Sequence, residues 1–142
     1  MAKTILLPVD LSDERSWRRP LAEAVAMLQA EGGVLHVVTV LPDYGMAVVA
    51  GFFRPDYEHE ALQKVGRALA DWVVANVPEG VEVHPHVLHG PIYDEILRAA
   101  DKLQVDLIVI GAHRPDLRDY LLGPNAARVV RHARQSVYVV RE

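Results

Sequence analysis

One stretch of the chain combines the residue types that bind phosphate. It runs from Gly111, at the end of an apolar segment, through a loop to Gly123 and into a segment with helical spacing, 124–133. Glycine lets the backbone approach a ligand closely, and the first turn of a helix offers unpaired N–H groups at its positive dipole end. The pattern therefore predicts an anion, such as a phosphate, against residues 123–127.

A carboxylate follows the first apolar run of the chain. Residues 5–9 have the pattern of a strand buried on both faces, and Asp10 comes directly after them. At a strand end, an acidic side chain is placed to accept hydrogen bonds from ribose hydroxyls. The same carboxylate could ligate Mg²⁺ or begin the following helix, and its strand-end position favours a ligand role.

The elements that must position these residues alternate along the chain. Apolar or alternating runs predict strands at 5–9, 34–40, 81–89, 105–110 and 136–141, with helical spacing between them. This order predicts an α/β fold with a five-stranded parallel sheet, helices on both faces and right-handed crossovers, as in Rossmann-like proteins. Pro85 predicts an edge strand, which the strand order 3-2-1-4-5 satisfies. Strands 1 and 4 then meet where the order reverses, so Asp10 and Gly111 should flank the ligand.

Two segments leave local alternatives open. Pro20 falls inside the first helical segment, so either the helix kinks there, or Ser16 is its N-cap and Pro20 lies in the first turn. Residues 41–56 form a long, unusually apolar connection, which we expect to be a packed flap or an interface segment.

Composition narrows the class of protein. The chain has 142 residues, the size of one domain, and is 51% hydrophobic and 24% charged. It contains no cysteine, which excludes disulfides, thiolate metal sites and a cysteine nucleophile. Its apolar runs are too short to span a membrane and its N-terminus lacks a signal-peptide pattern, so we expect a cytoplasmic protein without a membrane partner.

The net charge of −4 is unevenly distributed. Residues 111–142 carry six arginines and three acidic residues, whereas the rest of the chain is acidic. Nucleic-acid binding requires a broad basic face, so no nucleic-acid partner is expected. The arginines either lie on a solvent-exposed helix face or bind an anion. They fall in the same segment as the glycine-bounded loop, which favours anion binding.

Several motifs occur together in one order along the chain. They are Ile5-Leu6-Leu7-Pro8-Val9-Asp10 with Ser12, Gly90-Pro91, the run 105–111, Leu121-Leu122-Gly123, and the segments 126–133 and 136–140. Nearly the whole chain thereby resembles the universal stress protein family. The resemblance implies one such domain over residues 1–142, with an adenine nucleotide alpha hydrolase-like fold. It also implies a stress-response sensor or regulator that binds ATP (or AMP or ADP), with Mg²⁺ as a further candidate, and that is at most a slow ATPase or autokinase.

The resemblance also implies which residues form the sites. The nucleotide site would comprise Pro8, Val9, Asp10, Val38, Val40, Gly111, His113, Arg114, Gly123, Pro124, Asn125 and Ala126. The dimer interface would comprise Val137, Val139 and Arg141. Main-chain groups at the end of the second strand would read the adenine. No catalytic residue and no protein-held metal ion are expected.

The chain departs from the family's G-2x-G-9x-G-[S/T] loop at three points. Arg114 replaces the second glycine, only eight residues separate it from Gly123, and Pro124 replaces the hydroxyl residue. The first two departures resemble a family branch that reads Gly-x-x-Arg-Pro and includes nucleotide binders. Proline removes both a hydroxyl and a backbone N–H from the phosphate turn. The alternative is therefore a dimeric interaction module that has lost ATP binding through Pro124.

The last strand predicts a partner independently of the nucleotide. Val137, Val139 and Val140 carry no charge before Arg141, and an apolar sheet edge attracts another chain. The family resemblance implies that the other chain is a second copy, paired antiparallel to give a homodimer. A regulatory partner protein of unknown identity is also expected.

Histidines raise two further hypotheses. His84 and His86 share one face of the third strand, with His89 nearby, but without an evident third ligand an exposed edge strand is the simpler interpretation. His113, with Asp10 and a metal ion, could support a small phosphohydrolase or nucleotidyl transferase. A histidine that lines the nucleotide loop is the simpler interpretation there.

Overall fold

The computed structural model describes residues 2–41, 57–112 and 124–141. Strands and helices alternate through these ranges. Their bounds are β1 Lys3–Pro8, α1 Arg18–Glu31, β2 Gly33–Leu41, α2 Tyr57–Asn76, β3 Glu82–His89, α3 Ile92–Lys102, β4 Leu107–Ala112, α4 Pro124–His132 and β5 Ser136–Arg141. A short 3-10 turn, Glu14–Ser16, precedes α1. The connection 41–56, expected to be a packed flap or an interface segment, lies outside the described residues apart from Leu41.

The five strands form one parallel sheet in the order β3-β2-β1-β4-β5. This confirms the predicted α/β class and the 3-2-1-4-5 order. Pro85 lies on β3 at one edge of the sheet, opposite Val37 of β2, as its missing N–H required. The other edge is β5.

Helices cover both faces of the sheet. Ile5 and Leu7 of β1 pack in one apolar cluster with α1 and α2, whereas Leu6 packs in a second cluster with α3 and α4. Side chains of a strand alternate between the two faces, so a central strand must be apolar at nearly every position. This is why β1 and β4 have continuous apolar sequences.

Prolines lie at the amino ends of α1 and α3. Trp17, and not Ser16, is the N-cap of α1, and Pro20 is the third residue of the helix. A backbone N–H in the first turn has no partner within its helix, so proline is tolerated there. In α3, Pro91 is the N-cap and Ile92 is the first helical residue.

None of the helices in the three described ranges combines the length and the hydropathy needed to cross a membrane.

A glycine sets the spacing between the first two strands. Gly32 caps α1 with a φ of 78° and accepts a hydrogen bond from the backbone N of Lys3 at 3.0 Å. Gly33 begins β2 with a φ of 132°, and a Cβ at this position would overlap the carbonyl oxygen of Lys3 and lie 2.6 Å from its nitrogen. Since both groups are backbone, neither can turn aside.

The Gly33→Ala variant should lose at least ~4 kcal/mol of unfolding free energy, because the methyl group collides with the backbone of β1. Gly32→Ala is the matched control: its φ is also positive, but no atom lies within 4 Å of the added Cβ. We expect it to cost about 1–3 kcal/mol of backbone strain alone. Urea denaturation of both variants measures the difference, and equal losses would contradict the packing argument.

Candidate functional site

Strands β1 and β4 part from each other toward their carboxyl ends. Their last registered pair is Leu6 with Ile108. Beyond it, β1 continues beside β2 as far as Pro8, and β4 continues beside β5 as far as Ala112. We call the space between these two strand ends the β1–β4 gap. It lies where the strand order reverses, the position at which open α/β sheets bind ligands.

Pro8 gives the gap a physical cause. The backbone N of Val9 donates to the carbonyl oxygen of Val38 at 2.8 Å, so the amide of residue 9 faces β2. Neighbouring amides of a strand point in opposite directions, and the amide of residue 8 therefore faces β4. Proline has no N–H to donate there, which stops the hydrogen-bonded ladder.

The backbone of Asp10 is held tightly at the end of β1. The hydroxyl of Ser16, which is 1% exposed, accepts a hydrogen bond from the N–H of Asp10 and donates one to its carbonyl oxygen, both at 3.2 Å. The N–H of Asp13 donates to the same carbonyl at 3.1 Å. Sequence reasoning considered Ser16 only as a helix cap and missed this clamp, because residues six apart meet only after the chain turns.

The carboxylate of Asp10 is partly engaged. Its Oδ1 accepts hydrogen bonds from the backbone N and the hydroxyl of Ser12, at 3.0 and 2.7 Å. These contacts hold the side chain beside its own turn and fix its orientation. A carboxylate oxygen has further lone pairs, so the group can still accept hydrogen bonds from a ligand.

The end of β2 lies on the other side of β1. The Val38 side chain is fully buried and Val40 packs partly against the same apolar cluster. The carbonyl of Val38 already accepts the N–H of Val9, so the sheet uses that group. Leu41, the last residue of β2, accepts a hydrogen bond from the N–H of Gly90 at 3.1 Å, which ties the ends of β2 and β3 together.

The opposite wall of the gap belongs to β4 and α4. Gly111 is buried in β4, and α4 begins at Pro124. Ala126, in the first turn of α4, is 4% exposed and packs in the cluster that holds Ile110. Asn125 is half-buried and has an interaction partner of its own. The remaining predicted residues of this wall, His113, Arg114 and Gly123, lie outside the described residues.

A cavity of about 600 Å³ opens one strand away from the gap, between α4 and the carboxyl halves of β4 and β5. Its lining residues are small or apolar apart from two arginines: Ala112, Ala126, Ala127, Val130, Arg131, Val139 and Arg141. Ala126 belongs to the predicted nucleotide site, and Val139 and Arg141 to the predicted dimer interface. The two expected sites are therefore neighbours around α4.

The edge strand β5 shows two kinds of side chain. Val137 and Val139 are half-buried and pack against the cluster under α4, whereas Tyr138 and Arg141 are exposed. On the inner side, β5 pairs with β4 along its whole length. Its outer backbone groups meet no other strand within the described part of the chain.

Comparison with known proteins gives this architecture a family. Residues 1–141 match the universal stress protein family, and the chain belongs to it. Universal stress protein G of Escherichia coli O157:H7 is 31% identical over 147 aligned residues, which cover 99% of this chain and 100% of the relative. A universal stress protein of Archaeoglobus fulgidus is 25% identical, with a TM-score of 0.67 and 98% coverage of each chain.

A solved structure adds a ligand to this comparison. It is the universal stress protein from Archaeoglobus fulgidus in complex with dAMP, which is 25% identical to this chain. Its TM-score is 0.63, and the match covers 96% of each chain.

Removal of the Ser16 hydroxyl should loosen the clamp on Asp10. We expect Ser16→Ala to lose about 1–3 kcal/mol of unfolding free energy, because two hydrogen bonds disappear at a buried position. Ser12→Ala removes the hydroxyl hydrogen bond to the same aspartate at an exposed position and keeps the one from the backbone N–H, and it should cost about 1 kcal/mol or less. Chemical denaturation compares the two variants, and a larger loss in Ser12→Ala would reverse the assignment.

Proposed function

We propose that this chain is a stress-response regulator that binds an adenine nucleotide, ATP or its AMP or ADP counterparts, in the β1–β4 gap. The observation that carries the proposal is the parting of β1 from β4 beyond Leu6, with Asp10 clamped on one side and the first turn of α4 on the other. The dAMP complex of the Archaeoglobus fulgidus relative supports the ligand class.

Each wall of the gap suits a different part of a nucleotide. The carboxylate of Asp10 would accept hydrogen bonds from ribose hydroxyls, as acidic groups at strand ends do in dinucleotide-binding folds. Gly111 would let the phosphates approach the backbone, and the N–H groups of Asn125 and Ala126 would face them at the positive end of α4. The backbone at Pro8, Val9, Val38 and Val40 would border the base, with His113, Arg114 and Gly123 in the connecting segment.

Pro124 sets the strength of this site. A serine or threonine at the start of α4 would offer a hydroxyl and an N–H, whereas proline offers neither. Each lost neutral hydrogen bond costs ~0.5–1.5 kcal/mol, or up to about tenfold in affinity. We therefore propose a weak site that fills at cellular, millimolar nucleotide concentrations. Mg²⁺ would enter with the phosphates and requires no cluster of protein ligands.

A binding role suits the site better than an enzymatic one. The two hydrogen bonds from Ser12 fix the Asp10 carboxylate in one orientation, which suits a stationary acceptor for ligand hydroxyls better than a general base. The second candidate function, an interaction module without nucleotide, is favoured by one observation only, that α4 begins with a proline.

Mass spectrometry of the purified, denatured protein for bound nucleotide, followed by an ATP turnover assay, separates these functions. Bound adenine nucleotide without turnover is the expected result. Absence of ligand even after incubation in millimolar ATP would refute the nucleotide site and favour the interaction module. Turnover that disappears in His113→Ala would make the protein an enzyme.

The Pro124→Ser variant should bind ATP about fivefold to a hundredfold more tightly, because it restores two hydrogen-bond donors, one hydroxyl and one N–H, at the phosphate turn. Isothermal titration calorimetry measures the Kd. Pro78→Ser, the same substitution in the turn after α2, is the control and should leave the Kd unchanged. An equal or weaker Kd in Pro124→Ser would show that the phosphates lie elsewhere.

We further propose that two copies pair antiparallel through β5. The Val139→Lys variant should then be monomeric, because a charge would enter the middle of the paired edge. Light scattering measures the mass, and circular dichroism verifies the fold. Val74→Lys on α2, where the valine is 85% exposed, is the matched control and should keep the mass of the parent. A persistent Val139→Lys dimer would move the interface to another surface, such as segment 41–56.

A further inference from the structure

The two histidines singled out on β3 meet a third on β2. His84 and His86 lie two residues apart and so share one face of the sheet, and His36 is registered directly opposite His84. The ring centroids of His36 and His84 are 5.4 Å apart with the planes at 29°, and those of His36 and His86 are 5.1 Å apart at 33°. Sequence reasoning missed His36 because it lies in an apolar strand whose register only the sheet defines.

Two ring nitrogens of this cluster are already close together. Nδ1 of His36 and Nε2 of His86 are 2.9 Å apart and share a hydrogen bond. Two imidazoles on one ion, each at about 2.0–2.1 Å and separated by a right or tetrahedral angle, have their nitrogens roughly 2.8–3.4 Å apart. The distance between Nδ1 of His36 and Nε2 of His86 thus lies in the range expected for two imidazoles that bind one metal ion.

The third histidine is oriented by a carboxylate. Nε2 of His84 lies 2.8 Å from Oε2 of Glu82, on the same face of β3. A histidine that uses one nitrogen to hold a carboxylate keeps the other for a metal ion, and such carboxylate partners commonly orient metal ligands. In the present side-chain conformations, no three ligating groups among the described residues converge on one point. An ion would therefore enter at His36 and His86, and His84 would turn toward it.

The cluster is separate from the candidate nucleotide site. The cluster lies toward the amino ends of β2 and β3, whereas the β1–β4 gap lies at the carboxyl ends of its strands.

We propose that His36, His84 and His86 form a binding site for a divalent transition-metal ion that prefers imidazole ligands, such as Ni²⁺, Cu²⁺ or Zn²⁺. Two histidines spaced by one residue on a strand, with a third on the adjacent strand, place three imidazoles on one sheet face. Ions of this class favour imidazole, whereas Mg²⁺ favours oxygen ligands. The histidine site therefore differs in its ligands from the place where Mg²⁺ would bind together with a nucleotide.

Calorimetric titration of the untagged, full-length protein with NiCl₂ alone tests the proposal. We expect saturable binding of one ion per chain and no binding of Mg²⁺ from MgCl₂ at this site. His36→Gln and His86→Gln should each weaken Ni²⁺ binding by about tenfold or more, because each removes one nitrogen of the entry pair. The control is His132→Gln, an exposed histidine on α4, which should bind as the parent does.

A second readout follows the side chains themselves. Ni²⁺ is paramagnetic, so substoichiometric ion should broaden the imidazole NMR signals of His36, His84 and His86 together and leave that of His132 sharp. His84→Gln should also weaken binding, and an unchanged Kd there would remove His84 from the site. Absence of saturable binding, binding at millimolar ion only, or undiminished binding in both His36→Gln and His86→Gln would overturn the proposal. Circular dichroism verifies that each variant is folded.

Discussion

The amide of residue 8 faces β4 and, being that of a proline, has no hydrogen to donate. From that residue onward β1 retains only its pairing with β2, through the bond from the N–H of Val9 to the carbonyl of Val38. Strands β1 and β4 are therefore paired as far as Leu6 and part beyond it. Because residue 8 is a proline, this opening leaves no backbone N–H of that residue without a partner. The candidate site depends on the missing N–H of Pro8, because a complete hydrogen-bonded ladder between β1 and β4 would close the gap in which a ligand is proposed to bind.

The opening is supported from the core outward. Trp17, at the end of the 3-10 turn, packs edge to face on Trp72 of α2, with ring centroids 5.2 Å apart. That contact holds the turn that carries Ser16, and Ser16 in turn holds the backbone of Asp10. Apolar packing on one face of the sheet thus fixes the backbone of Asp10 at the carboxyl end of the central strand. Because Asp10 is already held in place, it needs little reorganisation when a ligand enters.

The two candidate sites on this sheet offer different chemical groups to a ligand. At the carboxyl ends, backbone groups, a helix terminus and a carboxylate together suit a polyanion with hydroxyl groups. Toward the amino ends of β2 and β3, three imidazoles face the side of α3 and suit a borderline metal ion. Since β2 pairs with β1 on one side and with β3 on the other, both places are parts of one continuous sheet.

Periodicity and residue type were sufficient for the positions of the strands, for Pro85 at an edge and for Asp10 and Gly111 at strand ends, because burial on two faces and a missing N–H are local properties. The register between β2 and β3, which sets His36 beside His84, could not be read from the chain, since strand pairing depends on contacts between distant residues. The Ser16 clamp and the true N-cap of α1 were missed for a related reason: a turn decides which atoms meet. By itself, then, the sequence determined which residues lie at the ends of which strands, and only the tertiary structure decided which of their polar atoms face one another.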